Sequence, residues 1–405
     1  MSRSNLITVA TCNLNQWALD FEGNLSRIIQ SCKEAKEEGA SYRLGPELEI
    51  CGYGCEDHFL ESDTFQHCWE SLIQLFEEGV TDDLLCDFGM PILHRGARYN
   101  CRVLCYNRKI LLIRPKTAMA DNGNYREGRY FTAYQNPFGN IGNENNSSQE
   151  KFMLPTFFAE KFDQKLVPFG TMSIQCADGT TVGCESCEEL WTPQSEHINL
   201  SLSGVEIIGN GSGSHHELRK LNARLELMIS ATRKCGGLYL YANQRGCDGG
   251  RLYFDGCAMI VCNGKVLAQA EQFDVRDVQT IVATVDLDDV RSFRASIPSF
   301  GNQSAQARQK MEYNEFIPCD VVCTSRSRSD GAWTNVSEEI ELKIHTPEEE
   351  CCLGKYVSCI AHCNFFLLKI CFGFLPIFTT FTSRSCLLVV GLFAKIWCGW
   401  ILFTS

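Results

Sequence analysis

A cysteine, a glutamate and a lysine stand where this 405-residue sequence places side chains that can do chemistry. Cys187 lies in Gly183-Cys184-Glu185-Ser186-Cys187-Glu188-Glu189-Leu190-Trp191, a run that leaves a strand, turns, and is expected to enter a helix at Glu188. A thiol at such an elbow faces the helix N-terminus, where the dipole lowers its pKa below the usual ~8.5 and favours the nucleophilic thiolate. Glu188 and Glu189 oppose this, so a fixed cation nearby is needed to settle the balance. Glu47 follows a short strand, in a turn stiffened by Pro46 and loosened by Gly52 and Gly54. A desolvated carboxylate there has a raised pKa and suits a general base. Lys116 closes the very apolar run 109–115, where a cation can be held inward. Each residue also has a plainer explanation. With 24 cysteines in the chain, Cys187 can be a buried structural thiol. Glu47 can be a surface charge or helix cap, and Lys116 a solvated strand end. Singly, none of them is specific. Cys184 and Cys187 form a C-x-x-C, but no second pair with zinc-ligand spacing follows, so no metal site is expected.

The elements that must position these residues follow from hydrophobic periodicity. Strands are expected over 7–14, 42–44, 84–93, 98–107 and 109–115, then over 172–175, 180–184, 205–210, 238–243, 256–262 and 280–286. Apolar residues at helical spacing predict helices over 24–38, 65–78 and 217–232. The polar, Asn- and Gly-rich segment 135–150 reads as a surface loop. Helices and strands interleave, so the body is α/β. Short turns such as Ala177-Asp178-Gly179 imply antiparallel pairs, which a purely parallel doubly wound sheet does not have.

Composition narrows the class. Charged residues are 21% and hydrophobic residues 44%, which excludes a mainly disordered chain. The net charge of −12 argues against nucleic acid as partner, since no surplus of cations exists to displace phosphate counterions. The start, MSRSNLITVATCNLNQWALDF, has no long apolar core or cleavage site, so a cytoplasmic chain with mostly reduced thiols is expected. The sequons at Asn24 and Asn199 would need secretion to be used.

The character changes near Cys351. Residues 351–405 hold seven cysteines and no acidic residue, and carry +4 through Lys355, Lys369, Arg384 and Lys395. Two apolar runs, 365–381 and 386–403, dominate this stretch. Three explanations compete: a membrane hairpin or tail anchor, a buried extension, and a non-native tail from an alternative exon, an intron or a shifted frame. The last leads, because the break follows an ordinary soluble segment, HTPEEE, with no linker, and because Lys369, Pro376 and Lys395 interrupt the runs. The expected domains are therefore 1–345, a hydrolase body, and 346–405, a linker remnant followed by the Cys-rich apolar tail of uncertain structure.

Taken together, the segments resemble the nitrilase, or carbon–nitrogen hydrolase, superfamily. Closer still is the resemblance to the glutaminase domains of eukaryotic glutamine-dependent NAD⁺ synthetases. RLGPELEICGYG, ILLIRPK, GNYRE, CEELWTP, SGSHHELRK and ANQRGCDGGRLYFDGCAMI carry it, from near residue 5 to about 350. The resemblance implies a four-layer α-β-β-α sandwich. It makes Glu47 the general base, Lys116 the oxyanion stabiliser, Cys187 the nucleophile and Glu127 the glutamate that orients the site. It places Tyr125, Ser212 and Arg219 against the substrate, L-glutamine. It also implies a homo-oligomer and an ammonia-accepting synthetase domain. ATP and Mg²⁺ belong to that domain and not to the glutaminase, which needs no cofactor.

The departures matter too. No Ser-Gly-Gly-x-Asp-Ser loop for ATP occurs, so the chain reads as a truncated product that does not make NAD⁺ alone. Two alternatives stay open: a stand-alone amidase or nitrilase acting on another amide, and a catalytically idle splice product that only associates with full-length subunits.

Overall fold

The first strand shows how the chain is layered. In the computed structural model, which describes residues 5–136, 150–247, 252–309, 314–324 and 336–354, β1 (Leu6–Leu14) turns Ile7 and Val9 to one side. Ala10, Cys12 and Leu14 point to the other, and both faces are buried. A strand covered on both faces must be apolar on both. α1 (Phe21–Glu37) follows. The Asp20 carboxylate accepts from the Gly23 N–H at its start, and Ile28, Cys32 and Ala35 are buried along one stripe.

Next come β2 (Tyr42–Leu44), α2 (Ser62–Glu77), β3 (Leu85–His94), β4 (Ala97–Tyr106), β5 (Lys109–Pro115) and the single turn α3 (Glu127–Tyr130). β6 (Lys151–Met153), α4 (Thr156–Phe162) and β7 (Leu166–Pro168) form a small excursion. The second half continues with β8 (Ser173–Gln175), β9 (Thr181–Ser186), α5 (Glu196–Leu202), β10 (Ile207–Ser212), α6 (Lys220–Cys235) and β11 (Leu238–Cys247). It ends with β12 (Tyr253–Asp255), β13 (Met259–Cys262), β14 (Lys265–Gln269), β15 (Val278–Asp286), α7 (Leu287–Ser296), α8 (Phe300–Gln309) and β16 (Phe316–Pro318).

Fourteen strands are linked in the order β16-β8-β9-β10-β11-β1-β2-β3-β4-β5, with β12 and β13 also on β11, β14 on β13 and β15 on β1. The run from β9 to β3 is parallel, and the β3-β4-β5 and β13-β14 hairpins are antiparallel. β1 and β11 share only the pairs Asn13–Asn243 and Leu14–Gln244. At that thin junction the strands divide into two sheets that pack face to face. Val9, Leu44 and Leu112 of one meet Val182, Ile207 and Leu240 of the other in a shared core. α1 and α2 cover the first sheet's outer face, and α5 and α6 cover the second's. The result is the expected four-layer α-β-β-α sandwich.

Local details differ from expectation for physical reasons. α6 starts at Lys220 rather than 217, because Arg219 takes a left-handed conformation with φ 67°. The strand expected over 256–262 shortens to β13, because Gly256 and Cys257 both have positive φ and leave extended geometry. α4, α5, α7 and α8 were not anticipated. They have only seven to ten residues, too few turns for a 3.6-residue period to stand out. Residues 137–149 of the expected surface loop, and the tail from 355 onward, lie outside the described residues.

The chain divides into Met1–Pro347 and Glu348–Ser405. Of the second unit, residues 348–354 are described and are helical. Among the described residues, no helix is long and apolar enough to cross a membrane.

Candidate active site

Glu47, Lys116, Cys187 and Ser212 lie at or just past the C-terminal ends of β2, β5, β9 and β10. These strands point the same way, so their ends gather in one crevice. The turn carrying Glu47 is held by buried donors. Arg102 on β4 donates to the carbonyls of Pro46 and Gly45, each at 2.8 Å, and its charge is met by Asp87 at 2.8 Å. Gln244 Nε2 donates to the Glu47 carbonyl at 2.8 Å. Gly89 lets this turn come close, since a Cβ there would lie 2.4 Å from Leu48 N.

Glu47 is fully buried and its carboxylate accepts three hydrogen bonds. Oε1 accepts from Lys116 Nζ at 2.6 Å and from Asn100 Nδ2 at 2.8 Å, and Oε2 from the Gly213 N–H at 3.0 Å. Lys116 Nζ also donates to Glu127, at 2.8 Å to Oε2 and 3.0 Å to Oε1. Glu127 accepts in addition from the Ala120 N–H at 3.0 Å and from the Tyr53 hydroxyl. One cation is thus shared by two buried carboxylates. Burial pulls the Lys116 pKa down, but Glu127 and Glu47 outweigh it, so the ammonium is held well above its ordinary range. Glu127 is pushed up, by burial first and by Glu47, against the pull of Lys116.

Cys187 sits on the opposing sheet, at the elbow after β9. Its backbone is left-handed, with φ 39°, a conformation that costs a non-glycine residue about 1–2 kcal/mol. The strained residue is held by its own N–H, which donates to Asn210 Oδ1 at 3.0 Å. Here one expectation needs correction. The segment after the elbow is a single 3-10 turn, Cys187–Leu190, that includes the cysteine, and not a helix whose N-terminus faces it. Burial, and next the negative charge of Glu47, push the thiol up, and the pull of Lys116 does not reverse this. The resting thiol is therefore protonated. A base must take its proton before it can attack a carbon.

The three residues expected against substrate are placed differently from one another. The Tyr125 hydroxyl accepts from the His215 N–H at 2.9 Å and donates to the Gly213 carbonyl at 3.4 Å, beside Glu47's own donor. Ser212 is buried, and its hydroxyl donates to Asn210 Oδ1 at 2.8 Å, the atom that also receives the Cys187 N–H. Arg219 is half-buried at the start of α6, and its guanidinium donates to the His345 carbonyl at 2.6 Å. A cavity of about 30 Å³, room for about one water, opens among Tyr53, Phe59, Tyr125 and Glu127.

Sequence reasoning missed Asn100, Tyr53, Asn210 and Gly213. Tyr53 and Gly213 lie inside runs already singled out, Gly52-Tyr53-Gly54 and Ser212-Gly213-Ser214, where glycines flag close approach. Asn100 has no local signal, being one polar residue in a strand. Among the described residues, no cluster of three or more His, Cys, Asp or Glu is placed to hold a metal ion.

Comparison with known proteins bears on this geometry. Residues 8–295 match the carbon-nitrogen hydrolase family. The chain is 53% identical over 352 residues to the glutamine-dependent NAD(+) synthetase of Saccharomyces cerevisiae, covering 87% of this chain and 47% of that protein. It is 52% identical over 348 residues to the Homo sapiens protein of that name, covering 86% and 47%. The chain spans about half the length of the curated relatives it matches. Among solved structures, a glutamine-dependent NAD(+) synthetase from Cytophaga hutchinsonii superposes with TM-score 0.59 at 25% identity, over 75% of this chain and 47% of that one. An amidase from Nesterenkonia sp. shares the fold, with TM-score 0.53 at 17% identity over 72% and 95% of the two chains.

Proposed function

The chain belongs to the carbon–nitrogen hydrolase family, and from that membership we propose that it hydrolyses the side-chain amide of L-glutamine to glutamate and ammonia. The observation that carries this is the buried contact of Lys116 with both Glu47 and Glu127, across the crevice from Cys187. An amide is a weak electrophile with a poor leaving group, so it needs a strong nucleophile, charge stabilisation and a proton for nitrogen. Glu47 takes the Cys187 proton as sulfur attacks the side-chain carbonyl carbon. Lys116 stabilises the tetrahedral oxyanion, an effect on the order of 3–4 kcal/mol for one good donor. Glu47 then passes the proton to nitrogen, the C–N bond breaks and ammonia leaves. The γ-glutamyl thioester is hydrolysed by a water that Glu47 deprotonates, which returns the thiol. Glu127 orients Lys116, while Tyr125, Ser212 and Arg219 contact the substrate.

The similarity to glutamine-dependent NAD(+) synthetases supports a wider role for the ammonia. We place the chain as the nitrogen-donating part of that reaction, in the cytoplasm and as a homo-oligomer. A separate ATP- and Mg²⁺-dependent synthetase domain would accept the ammonia and amidate deamido-NAD⁺.

The test is turnover without ATP. The purified chain should release glutamate and ammonia in equal amounts, with a higher kcat/KM for glutamine than for asparagine, propionamide or nicotinamide. A higher value for another amide would make this a stand-alone amidase. Absence of turnover on every amide would make it an idle chain.

A further inference from the structure

Lys116 and Cys187 end strands that never pair. Among the described residues, β5 pairs along its length with β4 and bridges Phe169 through Ile113, and β9 pairs with β8 and β10. The backbone ladders therefore do not set the distance between the two reacting side chains. Glu189 bridges them instead. Its carboxylate is 1% exposed and receives five hydrogen bonds on two oxygens. Oε1 accepts from Arg114 NH1 at 2.7 Å, from the Thr117 N–H at 2.5 Å and from the Thr117 hydroxyl at 2.7 Å. Oε2 accepts from Arg114 NH1 and from the Ser186 N–H, at 2.5 and 2.6 Å. Thr117 is the residue after Lys116, and Ser186 is the residue before Cys187.

A buried carboxylate needs a counter-charge, and Arg114 supplies it. Neutralising Arg114 would not require the other three bonds. Those come from the backbone and side chain that flank the cation and the nucleophile, one set on each sheet. Charge-assisted bonds to a carboxylate are short and directional, so they transmit position.

We propose that Glu189 is a positioning residue, a clamp that fixes the end of β5 carrying Lys116 against the elbow carrying Cys187; this rests on the proposed thioester chemistry. Glu189 touches neither substrate nor the reacting atoms, and its effect passes through its neighbours.

The experiment compares Glu189→Gln and Thr117→Val in the full chain. Each variant is assayed well below its own melting temperature. Glu189→Gln presents an NH₂ to donors that need an acceptor. Its kcat for glutamine should fall about 100-fold, the cost of roughly an ångström of misplacement, with KM changed by no more than about twofold. Thr117→Val keeps shape and loses one charge-assisted bond, and kcat should fall roughly 10-fold. In both, alkylation of Cys187 by iodoacetamide, followed by mass of its peptide, should slow by a similar factor. A lowered melting temperature with unchanged kcat and unchanged alkylation would overturn the clamp and leave Glu189 as a partner of Arg114 only. If Glu189→Gln does not fold, Thr117→Val decides by the same readouts. Alkylation needs no substrate, so the two readings separate. Slowed alkylation in a protein whose wild type ignores glutamine supports the clamp and overturns the glutamine reading. Normal wild-type turnover with unchanged alkylation in both variants overturns the clamp alone.

Discussion

Lys116 Nζ lies 2.6 Å from Glu47 Oε1, with both side chains fully out of water. The pair joins the end of β5 to the turn after β2. It is not a closed pair, because Glu127 draws on the same ammonium at 2.8 Å. The proposed general base is thus tied to the proposed oxyanion stabiliser before any substrate arrives. The thiol of Cys187 faces a cluster of two acidic side chains and one basic one, a surplus of one acidic group.

Replacing Lys116 exposes the cost of that surplus. Lys116→Met leaves Glu47 and Glu127 buried without their cation, and should destabilise by about 3–5 kcal/mol. Glutamine turnover should fall by roughly 10²–10³-fold with the loss of the donor. Glu127, already pushed up by burial, loses the pull of Lys116 and will titrate higher in the variant than in the unfolded chain. Stability from such groups is present below the unfolded carboxyl pKa and is lost as pH rises. The deficit in urea denaturation should therefore shrink on acidification, and a deficit that grows would contradict this account.

At Cys187, activity and stability should part company. Cys187→Ala and Cys187→Gly should both lose all glutaminase turnover. The backbone there has φ 39°, which glycine adopts freely and alanine does not. Cys187→Gly should be about 1 kcal/mol more stable than Cys187→Ala. Thermal denaturation of the two checks this, and equal melting temperatures would mean the elbow relaxes without its thiol.

Gly89 tests the packing behind Glu47. A Cβ at this position would meet Leu48 N at 2.4 Å and the Pro46 carbonyl at 2.7 Å, both backbone atoms of the turn. Gly89→Ala should cost about 1–3 kcal/mol by overpacking. It should also lower kcat, because the turn can yield only by moving Glu47. Full activity with lowered stability would show that the strand shifts instead.

His215 should make stability fall in mild acid. Burial first, and then the Lys220 charge, lower its pKa from 6.5 to about 4. The folded protein keeps the ring neutral while the unfolded chain takes up a proton near 6.5. A depressed pKa contributes stability that is present above 6.5 and lost as pH falls through about 4. Urea midpoints between pH 7 and 4 should drop less steeply in His215→Gln than in wild type. Parallel curves would assign the acid sensitivity to other groups.

Candidates for the site were legible before folding as local signals, none specific alone, and the family resemblance joined them. Pro46 and Glu47 after a short strand, Lys116 closing an apolar one, and Cys187 at a strand end are each read within about ten residues. The run of mostly apolar and small residues in β1 likewise reads as a buried strand. Asn100 and Asn210 carry no such mark. Their roles exist only because Asn100 reaches Glu47 across 53 positions, and Asn210 reaches the Cys187 N–H across 23.

By itself, then, the sequence determined the longer elements, an α/β body with antiparallel pairs and the three strand ends where chemistry is expected, since periodicity and turn residues act over one or two turns of chain, while the four-layer class came from the family resemblance. Only the tertiary structure decided the charge states and the geometry of the site. Local reading set Cys187 before a helix dipole that lowers its pKa, with Glu188 and Glu189 opposing, and left the balance to a nearby cation. In the fold, burial and Glu47, 140 residues away in sequence, push it up instead. Desolvation and charge act through space, and which groups become neighbours is known only once the two sheets have closed on each other.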